Sequence, residues 1–161
     1  MAELTVAGVE AGAGEGLVEG IHLHGDRGEP MQVVADAELV AGHGLLGDRM
    51  AGLGIPGTHV TFIGAEGVEA MVAETGIPLE PHQTRRNVLV RGVDVPGLVG
   101  RRFQVGDAVC FGVKECNPCN HLESLTHPGV RDGLSGRGGL RADVLTGGHI
   151  RVGDRITVLG D

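Results

Sequence analysis

Residues 115–123, ECNPCNHLE, hold two of the three cysteines in this 161-residue chain. Thiols at a C-x-x-C spacing have few uses. One is zinc, here with His121 or Cys110 as further ligands, although structural zinc sites usually pair two such motifs and the sequence has no second pair. Another is a dithiol redox pair, but the βαβ context that goes with it is not expected here. A third is a single activated thiolate that carries sulfur or ligates a soft metal. The last is a reduced, inert pair. Spacing alone leaves all four open.

The flanking residues sharpen the expectation for Cys119. A strand is expected to end near Glu115. Asn117 is then a favoured N-cap, Pro118 fits a first helical position, Leu122 and Leu125 lie three apart, and Pro128 ends the run. This predicts a helix over about 118–127 with Cys119 at its second position. Backbone N–H groups without intrahelical partners and the positive end of the helix dipole would there favour thiolate over thiol. Lys114 and His121 are close enough in sequence to add to the effect. Cys119 is therefore the candidate reactive thiol and Cys116 its auxiliary. Cys110, inside DAVCFGV among strand formers, reads as a small buried hydrophobe.

The elements that must position these residues are mostly short strands. Thirty glycines interrupt Val/Ile/Leu runs, and the only aromatics are three phenylalanines. GLVEGIHLHGDRGEPMQVV (16–34) reads as two strands around a turn, with His22 and His24 as surface histidines on one side of the first. THVTFIG, RRNVLVRG (85–92), RRFQVGDAVCFGVKE (101–115) and GLRADVLTGGHIRVGDRITVLG (139–160) supply further strands. VGDAV and VGDRI use the same Gly-Asp turn chemistry twice. Between them Val68, Met71, Val72 and Thr75 recur at helical spacing before Gly76 and Pro78, predicting a helix over about 65–75. The expected fold class is mostly β: a glycine-rich closed or partly closed β-barrel with about nine strands and about two short helices. No linker divides the chain, so residues 1–161 are expected to form a single domain, with 1–15 a loosely ordered or edge-strand N-terminus.

Composition excludes several classes. A formal charge of −8, with no basic stripe or aromatic platform, argues against nucleic acid. No run of about 18 apolar residues suggests a membrane span, and the N-terminal stretch has neither the basic nor the apolar region of a signal peptide. With an odd cysteine count as well, a cytoplasmic, reduced protein is expected. The basic residues are arginines apart from Lys114, and arginine's planar fork suits phosphate or carboxylate. Nucleotide-binding and Ser-hydrolase motifs are missing.

An ordered set of motifs carries a resemblance. GLLGDRM (44–50), RRNVLVRG, GRRFQVGD, PCNHLE (118–123) and GGHIRVGDRI together resemble the MOSC domain, named for the C-terminal domain of molybdenum-cofactor sulfurases and also found as stand-alone bacterial proteins. The resemblance spans roughly residues 16–160. It implies a MOSC-like barrel whose functional cysteine is Cys119, used either as a persulfide carrier or as a ligand to the molybdenum of a bound pterin cofactor. It further implies that Arg86, with Arg85 or Arg49, meets the cofactor phosphate and that Asn87 orients the pterin or the thiolate; His121, beside the thiol, either relays a proton or caps the face. Asp48 reads as a turn former, and Gly138, Gly139 and Gly148 as structural. Met50 stands where the family often has histidine or an aromatic. Three cysteines fall short of an iron–sulfur site, and no pyridoxal-phosphate desulfurase part accompanies the domain. A partner must then supply sulfur, as a cysteine desulfurase or other donor would, or electrons, as a redox protein would. The bound cofactor would in the latter case reduce N-hydroxylated compounds.

Overall fold

The computed structural model describes residues 15–160. The expectation for residues 1–15 lies outside this range except at Glu15, which begins a strand. In chain order the elements are β1 (Glu15–Leu23), β2 (Gln32–Val34), β3 (Asp36–Val40), β4 (Gly44–Leu45), β5 (Val60–Gly64), α1 (Ala65–Thr75), β6 (Val88–Arg91), β7 (Arg102–Val105), β8 (Ala108–Glu115), α2 (Asn120–Leu125), α3 (Val130–Gly133), β9 (Leu140–Thr146), β10 (Gly148–Arg151) and β11 (Arg155–Val158). Single 3₁₀ turns occupy Pro81–Thr84 and Pro96–Leu98.

Strands β11-β7-β8-β9-β5-β6-β1 follow one another around a barrel, which closes where β1 returns to β11 with Glu15 opposite Thr157 and Leu17 opposite Arg155. From that pole β1 runs nine residues to the far end, pairing on the way with β6 and, through Ile21–Leu23, with β2. A second sheet, β10-β3-β4, lies beside the barrel. The closed, mostly β architecture is the expected one, with eleven strands and three helices among the described residues in place of about nine and two.

Alternation builds the interior. Phe103 and Val105 of β7, Ala108 and Cys110 of β8, and Leu140, Ala142 and Val144 of β9 point inward. Phe62 and Phe103 meet edge-on, with centroids 5.2 Å apart and planes at 80°. Each fully buried Leu, Ile, Val or Phe contributes about 1.5–3 kcal/mol of transfer free energy. A second apolar cluster lies between the helices and the barrel wall, joining Val68 and Met71 of α1, Leu122 of α2, and Val130 and Leu134 around α3 to Ile63 and Leu89.

The structure departs from the sequence reading at two points and refines it at a third. A βαβ unit is present, because β5 and β6 are parallel and α1 connects them, but the two-cysteine motif lies elsewhere, after β8. The two Gly-Asp turns do different jobs. The first closes the β7–β8 hairpin, with Val105 opposite Ala108. The second links β10, which pairs with β3, to β11, which pairs with β7 and β1. Finally, α2 starts at Asn120, so Cys119 is its N-cap, with extended φ −135° and ψ 173°, and not its second residue.

Candidate functional site

The late start of α2 has a cause in the loop before it. Once β8 ends, Cys116 N–H bonds the Gly139 carbonyl at 2.8 Å. Arg86, nine-tenths buried, then clamps the same loop: Nε donates to the Gly138 carbonyl (2.7 Å) and a terminal nitrogen to the carbonyls of Cys116 and Asn117 (3.3 and 3.4 Å), while the other reaches the Thr84 carbonyl (3.3 Å). A Cβ on Gly138 would lie 2.4 Å from the Cys116 carbonyl oxygen and 2.6 Å from Pro118 Cδ. The 116–119 stretch is thus held extended until Cys119. Cys116 is buried there and Cys119 exposed. The Cys119 side chain makes no cap hydrogen bond, so the anticipated contact between sulfur and helix-start N–H groups is not formed.

Cys119 opens into a cleft of about 200 Å³. Cys116, His121, Arg49, Arg85, Arg86 and Asn87 line it, as do Met50 and two residues that sequence reasoning passed over as site residues, His24 and Arg141. Lys114 is exposed on β8 in register with Arg141 and does not line the cleft. Four arginines therefore border one cleft of an acidic protein, and no Asp or Glu is among its lining residues. None of the four makes an ion pair among the described residues.

The arginines are not equivalent. Burial pulls the Arg86 guanidinium below its ordinary value, opposed by Cys116 and Cys119 and reinforced by Arg141; its donors are largely spent on loop carbonyls. Arg85 has φ 64°, the only positive φ among the described non-glycine residues, and donates to the Glu29 carbonyl. Burial and then neighbouring Arg49 lower its pKa, and Asp48 offsets this in part. Arg49 donates through Nε to the Gly25 carbonyl at 2.7 Å. The pair Arg49 and Arg85, with Arg141, has terminal guanidinium donors to offer an anion.

Asn87 is filled from within. Its Oδ1 accepts from Thr61 N–H and hydroxyl (3.0 and 3.1 Å), and its Nδ2 donates to the His22 carbonyl and Asp48 Oδ1 (3.0 and 3.1 Å). The amide ties β5, β1 and the 48–50 turn together, leaving no donor for a pterin. Asp48 is more than a turn former: 7% exposed, it also accepts from Met50 N–H (3.0 Å), His24 N–H and His24 Nδ1 (3.0 Å). Burial raises its pKa, but the bonds from His24 and Met50 outweigh burial and leave it below the usual carboxylate value. His22 is buried, not a surface residue, with Nδ1 against the Arg86 carbonyl at 3.0 Å, and burial lowers its pKa. Cys110 lies in the barrel core, where burial and then Asp143 push its thiol up to about 12. Among the described residues no group of three or more His, Cys, Asp or Glu side chains is placed to hold a metal, so the zinc reading finds no ligand set.

The MOSC domain family matches residues 47–157. Among solved structures, the YuaD protein from Bacillus subtilis superposes with a TM-score of 0.75 at 19% identity, over 89% of this chain and 95% of that one. YiiM from Escherichia coli gives a TM-score of 0.67 at 15% identity, over 90% and 70%. YiiM from Geobacillus stearothermophilus gives 0.64 at 15% identity, over 90% and 73%. At these identities the likeness is one of fold. A comparison with curated proteins finds no match. No helix among the described residues is long and apolar enough to cross a membrane.

Proposed function

The chain belongs to the MOSC domain family, whose link is to molybdenum-cofactor sulfurase-like proteins, and from that premise we propose that the cleft binds the phosphate-bearing molybdenum cofactor with Cys119 as its thiolate ligand. The observation that carries this reading is that four arginines line one cleft with an exposed thiol and no carboxylate is among the lining residues. The donor set fits the group. Guanidinium forks suit phosphate, and a thiolate suits a soft metal centre. The cleft is smaller than the roughly 300–1,000 Å³ of a typical ligand pocket, in keeping with holding one end of the cofactor and leaving the rest at the open mouth. When bound, the metal would supply two-electron redox chemistry.

The protein's own residues do the positioning. Arg49, Arg85 and Arg141 would meet the phosphate. Arg86 acts indirectly, fixing the carbonyls of 116, 117 and 138 so that the cysteine loop keeps its shape. Asn87 fixes the floor beneath.

Molybdenum analysis of protein produced in a host with an intact cofactor pathway is the test. Stoichiometric molybdenum is expected, lost in Cys119→Ser and weakened about tenfold by each of Arg49→Ala and Arg85→Ala, the scale of one charge-assisted hydrogen bond. Wild-type protein without molybdenum, or Cys119→Ser protein that keeps it, overturns the reading. The exposure of Cys119 supports a second use of the same thiol, as a persulfide fed by a cysteine desulfurase or other sulfur donor. A mass gain of one sulfur on Cys119 in molybdenum-free protein would mark that role. Reduction of N-hydroxylated compounds by the loaded protein with a redox partner would mark an enzyme.

A further inference from the structure

His24 stands in the cleft wall with its outer ring nitrogen unused. Directly after β1 its backbone N–H and its Nδ1 both bond Asp48, the ring nitrogen lying 3.0 and 3.2 Å from the two carboxylate oxygens. The side chains are 13% and 2% exposed. Asp48 is held in turn by Met50 N–H and Asn87 Nδ2, so its orientation is fixed. A carboxylate at Nδ1 requires a proton there, which leaves Nε2 of the neutral ring with a lone pair and makes Nε2 the atom that gains the second proton. Nothing among the described residues hydrogen-bonds Nε2, and the ring lines the same cleft as Cys119.

We propose that His24, oriented by Asp48, is the proton-exchanging residue of this cleft. Its Nε2–H bond breaks as an O–H or S–H bond forms on an anionic oxygen or sulfur held against Cys119. The N–H electron pair stays on the ring, and the ring becomes neutral with its remaining proton directed at Asp48. The charged and titratable groups around the imidazole are Asp48, bonded to Nδ1, Arg49, whose backbone N–H bonds the His24 carbonyl, and Arg85, Arg86, Arg141, Cys116, Cys119 and His121, which line the same cleft. The inference rests on the cleft being the working site, as proposed above, and it assigns the one role which that reading leaves open: the source of a proton.

The test reads charge at the cleft through Cys119 itself, on the full chain made in a host without the pterin cofactor. Alkylation by anionic iodoacetate and by neutral iodoacetamide is followed by mass spectrometry, with Cys119→Ser as the identity control. In wild type the iodoacetate-to-iodoacetamide rate ratio should fall about threefold from the acid to the alkaline end of a pH series, as Nε2 gives up its proton, the scale of one unit charge at close range in water. In His24→Gln the ratio should stay flat. A decline that persists in His24→Gln, or that vanishes instead in His121→Gln, overturns the proposal. Nitrogen NMR of wild-type His24 provides a second readout that needs no variant: the neutral ring should carry its proton on Nδ1, and an Nε2–H tautomer overturns the proposal. Molybdenum retention is measured separately, so failure of the cofactor reading and failure of this one are told apart.

Discussion

Three thiols within ten residues meet three different fates. Cys119 is exposed, Cys116 is buried behind the clamp of Arg86, and Cys110 is sealed in the barrel with its thiol pushed up to about 12. Limiting iodoacetamide near neutral pH should therefore modify Cys119 first and Cys110 only after denaturant is added; equal labelling of Cys116 and Cys119 in peptide maps would contradict this. Asp48 has a pH signature. Its pKa is depressed in the fold, so its contribution to stability is complete above the ordinary carboxylate value and is lost as pH falls from about 4 toward the folded value. Urea midpoints measured down this range should decline more steeply for wild type than for Asp48→Asn. At this scale the sequence was legible only where neighbours decide. Strand alternation placed Cys110 inside. His24 and Asp48, 24 positions apart on separate loops, meet only because β1 ends beside the 48–50 turn, and no local spacing announces that.

Elements read unevenly, for physical reasons. The Ala65–Thr75 helix has its expected bounds because its stop signal is local: Gly76 takes φ 72° and its N–H caps the Val72 carbonyl. The helix after Cys119 starts later than its own residues suggest, because Asn117 and Pro118 are recruited by Arg86 and by the close approach of Gly138, contacts from loops distant in sequence. Two substitutions probe that recruitment. Gly138→Ala puts a methyl against the Cys116 carbonyl and Pro118, and overpacking of this kind costs about 1–3 kcal/mol. Arg86→Ala strips buried carbonyls of their donor at about 1–3 kcal/mol. Since both act on one loop, the double variant should lose less than the summed single losses in urea titrations, and each single variant should change the alkylation rate of Cys119.

For the whole molecule, composition and ordered motifs were enough to give the class and the family, because glycine-broken β-branched runs admit few other architectures. Strand order was not legible: β10 leaves its sequence neighbours to pair with β3, a choice made by long-range packing. Closure depends on β11, which is hydrogen-bonded to both β1 and β7. Deleting residues from Arg155 onward should bare two unpaired edges, and the expected outcome is loss of cooperative thermal unfolding with association visible by size-exclusion chromatography. A truncated chain that still melts cooperatively as a monomer would show that closure is dispensable. The same seam sets a direction. Glu15 and Thr157 lie side by side, whereas His24 emerges at the other end of a nine-residue strand, roughly 30 Å away at about 3.3 Å per residue. A fluorophore, bead or sensor chip tethered through either of those adjoining strand ends would leave the arginine-lined mouth facing outward into bulk solvent, free to meet an incoming macromolecule.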